Sequence, residues 1–270
     1  MNRTDEQIQE LFDLGLYYLN GSAIDLAITI FEELAAQLHA PSLYQLGIIY
    51  KERRTKLSIH TRIAALSCDE TDMKALTYLK AASGLGHQDA CYELGSMLSN
   101  SIDTVSDAID WLKMAAKRGH TKACLMLGSL LIFKRDYEEA LSYYTRAANA
   151  GNPDAVYGLA MLYFSNKTAP GGFRAKYLSN LSKFEQQRVE NYKLGFHFLV
   201  KAADLGSAEA QYRLGLLLME GLTEITVQIC ESDESRAKDM LGAAAQQGHY
   251  HAQDILDGKP PFHHPQQGFG

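Results

Sequence analysis

Two consecutive stretches decide the fold: residues 87–119, HQDACYELGSMLSNSIDTVSDAIDWLKMAAKRG, and residues 120–151, HTKACLMLGSLLIFKRDYEEALSYYTRAANAG. Laid over one another they share two patterns. The first is Ala, then Leu-Gly at the fourth and fifth residues after it, then Leu or Tyr at the eighth: Ala90, Leu94, Gly95, Leu98 and Ala123, Leu127, Gly128, Leu131. The second is Ala, a large apolar residue at the third, a small pair at the seventh and eighth, and a closing Gly. It gives Ala108, Trp111, Ala115, Ala116, Gly119 and Ala140, Tyr143, Ala147, Ala148, Gly151.

Both patterns recur outward from this core. The first returns at Ala210, Leu214, Gly215, Leu218 and, more loosely, at Ser42, Leu46, Gly47, Tyr50 and Ala155, Leu159, Ala160, Tyr163. The second returns at Ala75, Tyr78, Ala82, Ser83, Gly86, then at Gly195, Phe198, Ala202, Ala203, Gly206, then at Ala237, Met240, Ala244, Ala245, Gly248. A worn copy opens the chain with Leu14, Gly15, Tyr18, Ala27, Ile30, Leu34 and Ala35, and Leu38 stands where a closing Gly belongs. A half copy ends it with Ala252 and Leu256.

On a helix of about 100° per residue, offsets 0, 4, 5 and 8 fall within an arc of about 140°, and offsets 0, 3, 4 and 7 within about 100°. Each pattern is therefore one apolar face of a short helix, here helix A and helix B of a pair. Neither face buries enough surface alone, but stacked pairs share a continuous core. The Gly of Leu-Gly lets helix B approach helix A, and the closing glycines suit the left-handed residue that ends a helix. Restart signals follow: Thr121 and Ser207 as N-caps, Asn152-Pro153-Asp154 as N-cap, N1 and N2, and Asp136 with Glu139 as a capping-box-like pair.

These strings resemble the Sel-one-like repeat family, a relative of tetratricopeptide repeats. The resemblance covers nearly all of residues 5–258, although the Gly-x-Gly turn usual between helices A and B is absent. It implies an all-α fold: a right-handed α/α superhelical solenoid of about six helix pairs plus a C-terminal capping helix. Residues 1–258 form the solenoid as a single domain, with insertions at about 51–71, 165–191 and 220–234, and residues 259–270 form a flexible tail. The family's members act mostly as adaptors in protein assemblies.

Composition narrows the function. The chain has 270 residues, 46% of them hydrophobic, so a sizeable core is available. A net charge of −6 disfavours nucleic acid as a partner, because phosphate contacts require a concentrated basic surface. Apolar runs fall far short of the ~20 residues of a membrane span. The opening MNRTDEQIQELFDLG lacks a signal core, so a cytoplasmic location is expected, with specialised secretion left open. Cys68, Cys91, Cys124 and Cys230 form no CxxC pair and read as reduced, buried thiols. No nucleophile elbow, P-loop, zinc-protease or dinucleotide motif occurs, so no enzyme activity, cofactor or metal site is expected. His87, His120 and His249 each follow a closing Gly and are explained by repeat position.

The expected function is thus a non-catalytic scaffold or adaptor that binds a partner protein or peptide in a groove. The alternative is an inhibitor or immunity-type protein that blocks one enzyme or toxin. On helix A, offsets −1, +2, +6 and +9 point away from the pair core. They supply Asp89, Tyr92, Ser96 and Ser99 in the third copy, then Lys122, Leu125, Ser129 and Ile132, then Asp154, Tyr157, Met161 and Phe164, then Glu209, Tyr212, Leu216 and Met219. The candidate groove residues are Tyr92, Tyr157, Met161, Phe164, Tyr212, Leu216 and Met219, a Tyr/Met/Phe surface suited to anchoring a helix or peptide. The +2 tyrosines have a second reading, as packing against the next repeat. Within 165–191, Phe173, Tyr177, Leu181 and Phe184 recur at helical spacing beside Arg174 and Lys183. This segment reads as an extra amphipathic helix that covers the groove or contacts the partner, with Phe173, Arg174, Tyr177 and Lys183 as candidate contacts.

Overall fold

A computed structural model describes residues 4–60, 70–165, 181–224 and 227–259. Among them the helices run α1 (Asp5–Asn20), α2 (Ile24–Ala35), α3 (Ala40–His60), α4 (Glu70–Gly84), α5 (Gln88–Leu98), a 3-10 turn at Ile102–Thr104, α6 (Val105–Lys117), α7 (Thr121–Phe133), α8 (Tyr137–Asn149), α9 (Pro153–Phe164), α10 (Leu181–Asp204), α11 (Ala208–Glu220), α12 (Glu234–Gln246) and α13 (Tyr250–Leu256). Odd-numbered helices carry the first pattern and even-numbered ones the second, giving six A/B pairs and a short capping helix. The chain divides into two compact units, residues 1–123 and 124–270.

The inserts are local elaborations of this plan. The 51–60 portion prolongs α3. The 181–191 portion is the start of α10, so the helix expected there is continuous with helix B of the fifth pair rather than separate from it. The third insert departs from an all-helical chain in a small way: β1 (Leu222–Glu224) and β2 (Val227–Cys230) pair as an antiparallel hairpin.

Close approach within the pairs follows the Leu-Gly signature. A Cβ added at Gly47 would lie 2.6 Å from Leu79 Cγ, at Gly95 2.6 Å from Leu112 Cγ, and at Gly215 2.8 Å from Leu241 Cγ. Real Cβ atoms are not found so near, so Gly is needed at all three. The residue each Gly meets stands four places after the helix B Ala, where it is buried. The fifth pair inverts the arrangement. Ala160 replaces the Gly on α9, and Phe164 packs instead on Gly195 of α10, whose added Cβ would lie 2.9 Å from the ring.

The junctions between pairs share one geometry. Gly86, Gly119, Gly151, Gly206 and Gly248 have φ of 93°, 92°, 83°, 90° and 86°. Around Gly119, its own N–H donates to Ala116 O at 2.9 Å and the His120 N–H donates to Ala115 O at 3.2 Å, which is the Schellman pattern. The other four closures repeat it. Leu38 fills the same role in the first pair with φ 60° despite its Cβ.

The residue after each closing Gly then caps the next helix. Asn152 Oδ1 accepts from the Ala155 N–H at 2.9 Å with Pro153 at N1, and Ser207 Oγ accepts from the Ala210 N–H at 3.4 Å. At α7 the capping residue is His120, not Thr121: its Nδ1 accepts from the Ala123 N–H at 3.1 Å. His87 and His249 do the same for Ala90 and Ala252, each at 3.3 Å. Thr121 was the better cap by residue type. The Schellman turn, however, already fixes the residue after Gly in the extended conformation a cap requires.

Candidate partner-binding face

Within the second unit, α9 and α11 present the same register positions. At offset −1, Asp154 Oδ1 accepts a hydrogen bond from Ser207 Oγ at 3.0 Å. Its counterpart Glu209 is the hub of a network. Glu209 Oε1 accepts from the Tyr157 hydroxyl at 3.3 Å and from Arg213 Nε at 3.1 Å, and Oε2 lies 3.1 Å from His249 Nε2. Burial pushes the Glu209 carboxyl upward, but the hydrogen bonds from His249 and Arg213 outweigh it and hold the group below the ordinary carboxylate range. Burial pushes the Tyr157 phenol well above its usual value, so it stays a donor to Glu209.

The Tyr212 ring stacks on His249 with centroids 4.3 Å apart and planes at 26°. Tyr157 and Tyr212 are therefore held by the protein itself, one through its hydroxyl and one through its ring. Beyond them, at offsets +6 and +9, Met161 and Leu216 are half-buried and Met219 is 48% exposed. Near the His249 junction, Tyr250 is 70% exposed, and its ring lies against His251 at 4.2 Å. The accessible apolar surface is thus carried by Met161, Leu216, Met219 and Tyr250.

Phe164 does not belong to this face. It is fully buried against Gly195, with Tyr192 edge-on at 5.6 Å, because α9 carries Ala160 where other A helices have the Gly that admits a side chain of their own helix B. Tyr92 lies in the first unit, where its ring stacks on His120 at 4.5 Å and 21°. Tyr44 on His87 repeats this at 4.5 Å and 17°, and Phe12 meets His39 edge-on at 5.2 Å. The +2 aromatic is thus a junction residue first. Burial, with Glu93 and Asp89 nearby, pushes Tyr44 up to about 12. Glu93 pairs with Lys51. Phe173, Arg174 and Tyr177 lie outside the described residues, and of Lys183 only the backbone in the first turn of α10 is described.

Arg213 escaped the sequence reading, and Glu209 and His249 entered it only as a groove offset and a repeat position, yet a signal for their partnership was present. Tyr44, Tyr92 and Tyr212 at +2 of helix A are each followed by His after the next closing Gly, whereas Leu125 is followed by Asn152 and Tyr157, whose hydroxyl bonds Glu209 instead, by Ser207. In those three copies the two rings stack on one another. Cys91 and Cys124 are free and buried, and Arg118 Nη1 donates to Cys91 Sγ at 3.5 Å. Among the described residues no group of three or more His, Cys, Asp or Glu is placed to hold a metal ion, and no helix is long and apolar enough to cross a membrane.

The Sel1 repeat profile matches residues 79–120, 122–152, 182–207 and 208–249, more than half of the chain. In structure the chain is similar to a Sel1 repeat protein from Oxalobacter formigenes, at TM-score 0.63 and 20% identity, over 92% of this chain and 89% of that one. It is also similar to an immunity protein from Pseudomonas aeruginosa, at TM-score 0.48 and 18% identity, over 100% of this chain and 93% of that one. In sequence, no curated protein matches it.

Proposed function

The chain belongs to the Sel1 repeat family, and from that premise we propose that it is a non-catalytic protein-binding scaffold that takes a partner protein or peptide on the α9–α11 face. The observation that carries this reading is the division of labour on that face. Glu209 and His249 tie down Tyr157 and Tyr212, while Met219 remains 48% exposed beside the half-buried Leu216 and Met161 at matching register positions. A rigid wall with pliable methionines on it suits an apolar partner side chain, because Met adapts to irregular shapes at little strain. Ordered surroundings lower the conformational entropy lost on binding.

The test is affinity capture from the native host with the wild-type chain and with Met219→Asp and Leu216→Asp variants, each checked for unchanged helical circular dichroism. Loss of the same partner from both variants supports the reading. Retention of every partner by both would sink it. One target held at nanomolar affinity, with inhibition of that target's activity, would favour the blocking role over the adaptor role.

A further inference from the structure

Three junctions of this chain are closed by an imidazole and two by groups that do not titrate near neutral pH. His87, His120 and His249 cap α5, α7 and α13 through Nδ1, whereas Asn152 and Ser207 cap α9 and α11 through oxygen. To accept from a backbone N–H, Nδ1 must keep its lone pair, so each capping ring is neutral with its proton on Nε2. Carboxylates support that tautomer at two of the sites. Asp89 Oδ1 lies 3.3 Å from His120 Nε2, and Glu209 Oε2 lies 3.1 Å from His249 Nε2.

We propose that these histidine caps are proton-operated latches that release the first turns of α5, α7 and α13 on acidification, while the junctions at α9 and α11 stay closed. The proton enters at Nδ1, the one nitrogen that carries a lone pair, and converts an acceptor into a donor. The resulting N–H faces the backbone N–H it formerly received, at the positive end of the helix dipole. The cap is lost and the ring must turn away, leaving its aromatic partner behind: Tyr44 for His87, Tyr92 for His120, Tyr212 for His249.

Each latch has its own electrostatic setting. His87 has Tyr44 against it and Asp89 on its own helix. His120 faces Asp89 and Glu93 on α5, with Tyr92 stacked on it and Lys122 beside it in sequence. His249 faces Glu209 and Tyr212 on α11, with Arg213 on the same carboxylate and Tyr250 and His251 next in the chain. Burial disfavours the imidazolium at His87 and His120 despite their carboxylates, so these two latches hold until the pH is below the ordinary histidine range. Opening at His249 frees Tyr212 and one arm of Glu209 together, which links the device to the second unit's exposed face.

Hydrogen exchange on the full chain tests this at the capped amides, corrected for intrinsic rates, between pH 7.5 and pH 5. Protection at Ala90, Ala123 and Ala252 should fall by up to about tenfold per pH unit once the pH is below the ordinary histidine range. Ala155 and Ala210 should keep theirs. Imidazole nitrogen shifts at pH 7.5 should show the Nε2–H form. The triple variant His87→Asn, His120→Asn, His249→Asn imitates the Asn152 junction and should hold its protection at pH 5. Equal loss at all five amides, or an Nδ1–H tautomer at neutral pH, would overturn the proposal. Because the wild-type chain carries both kinds of junction, the comparison stands even if the triple variant does not fold.

Discussion

Gly128 of α7 lies directly against the Tyr144 ring of α8: a Cβ added there would sit 2.7 Å from Cδ1 and Cε1. Gly158 of α9 closes on the same ring, with its added Cβ 2.7 Å from Cε1. Tyr144 is buried between two backbones, and its hydroxyl is 3.0 Å from Ser129 Oγ. Burial pushes the phenol upward, although the Ser129 contact opposes this.

Gly128→Leu should overpack this contact and destabilise the protein by ~1–3 kcal/mol. A thermal melt followed by circular dichroism reads the loss as a lower Tm. An unchanged Tm would mean that the glycine is not there to admit the ring.

Leu38 offers the opposite change. It occupies the left-handed region at φ 60°, is 69% exposed, and stands where Gly86, Gly119, Gly151, Gly206 and Gly248 close the later pairs. Leu38→Gly relieves strain of about 1 kcal/mol while giving back part of it as unfolded-chain entropy, so a net gain of roughly 0.5 kcal/mol is expected. Urea denaturation should show a higher midpoint with an unchanged slope. A lower midpoint would show that the Leu38 side chain contributes packing that outweighs the strain.

Stability should decline as the solution is acidified from neutrality. Burial holds His39, His87 and His120 below the ordinary histidine value. The unfolded chain, with histidines near 6.5, therefore binds more protons than the folded one below that pH. The contribution is intact above about pH 6.5 and is lost as pH falls through the folded-state titrations. Glu209, held below its ordinary range, adds a second loss in the same direction at more acid pH. Urea midpoints between pH 8 and pH 5 check the first arm; a rising midpoint on acidification would contradict it.

Phe164 and Met219 occupy the same offset on α9 and α11 and should behave differently. Phe164→Ala leaves a cavity over Gly195 and should cost about 3–5 kcal/mol. Met219→Ala, at 48% exposure, should change stability by roughly 0.5 kcal/mol or less. Parallel denaturation curves separate a core residue from a surface one. Equal losses would show that the two positions are not distinguished as the packing indicates.

The repeat itself was legible because small residues recur in phase, and Gly95, Gly215 and the closing glycines stand where the spacing places them. The residue that fills each pair was less legible. The pattern singles out Trp111 and Tyr143 on the helix B face without saying which side chain fills the pair, and it is Leu112 and Tyr144, one place later, that meet the glycine. Neighbouring residues share one arc, so spacing alone does not distinguish them. Phe164 was misplaced for a related reason: Ala160 in place of Gly shifts the close contact by a turn, and register alone cannot show this. The Glu209 network joins residues 40 and 52 positions apart except for its Arg213 arm, so only the repeat register, not a local pattern, relates them.

The residue after each closing glycine terminates one helix with its backbone and initiates the next with its side chain. Such a seam is self-sufficient: cut and rejoined there, a chain keeps both ends finished. Whole hairpins can therefore be duplicated or deleted at these points during evolution without new linkers, and array length can drift while the joints stay sound.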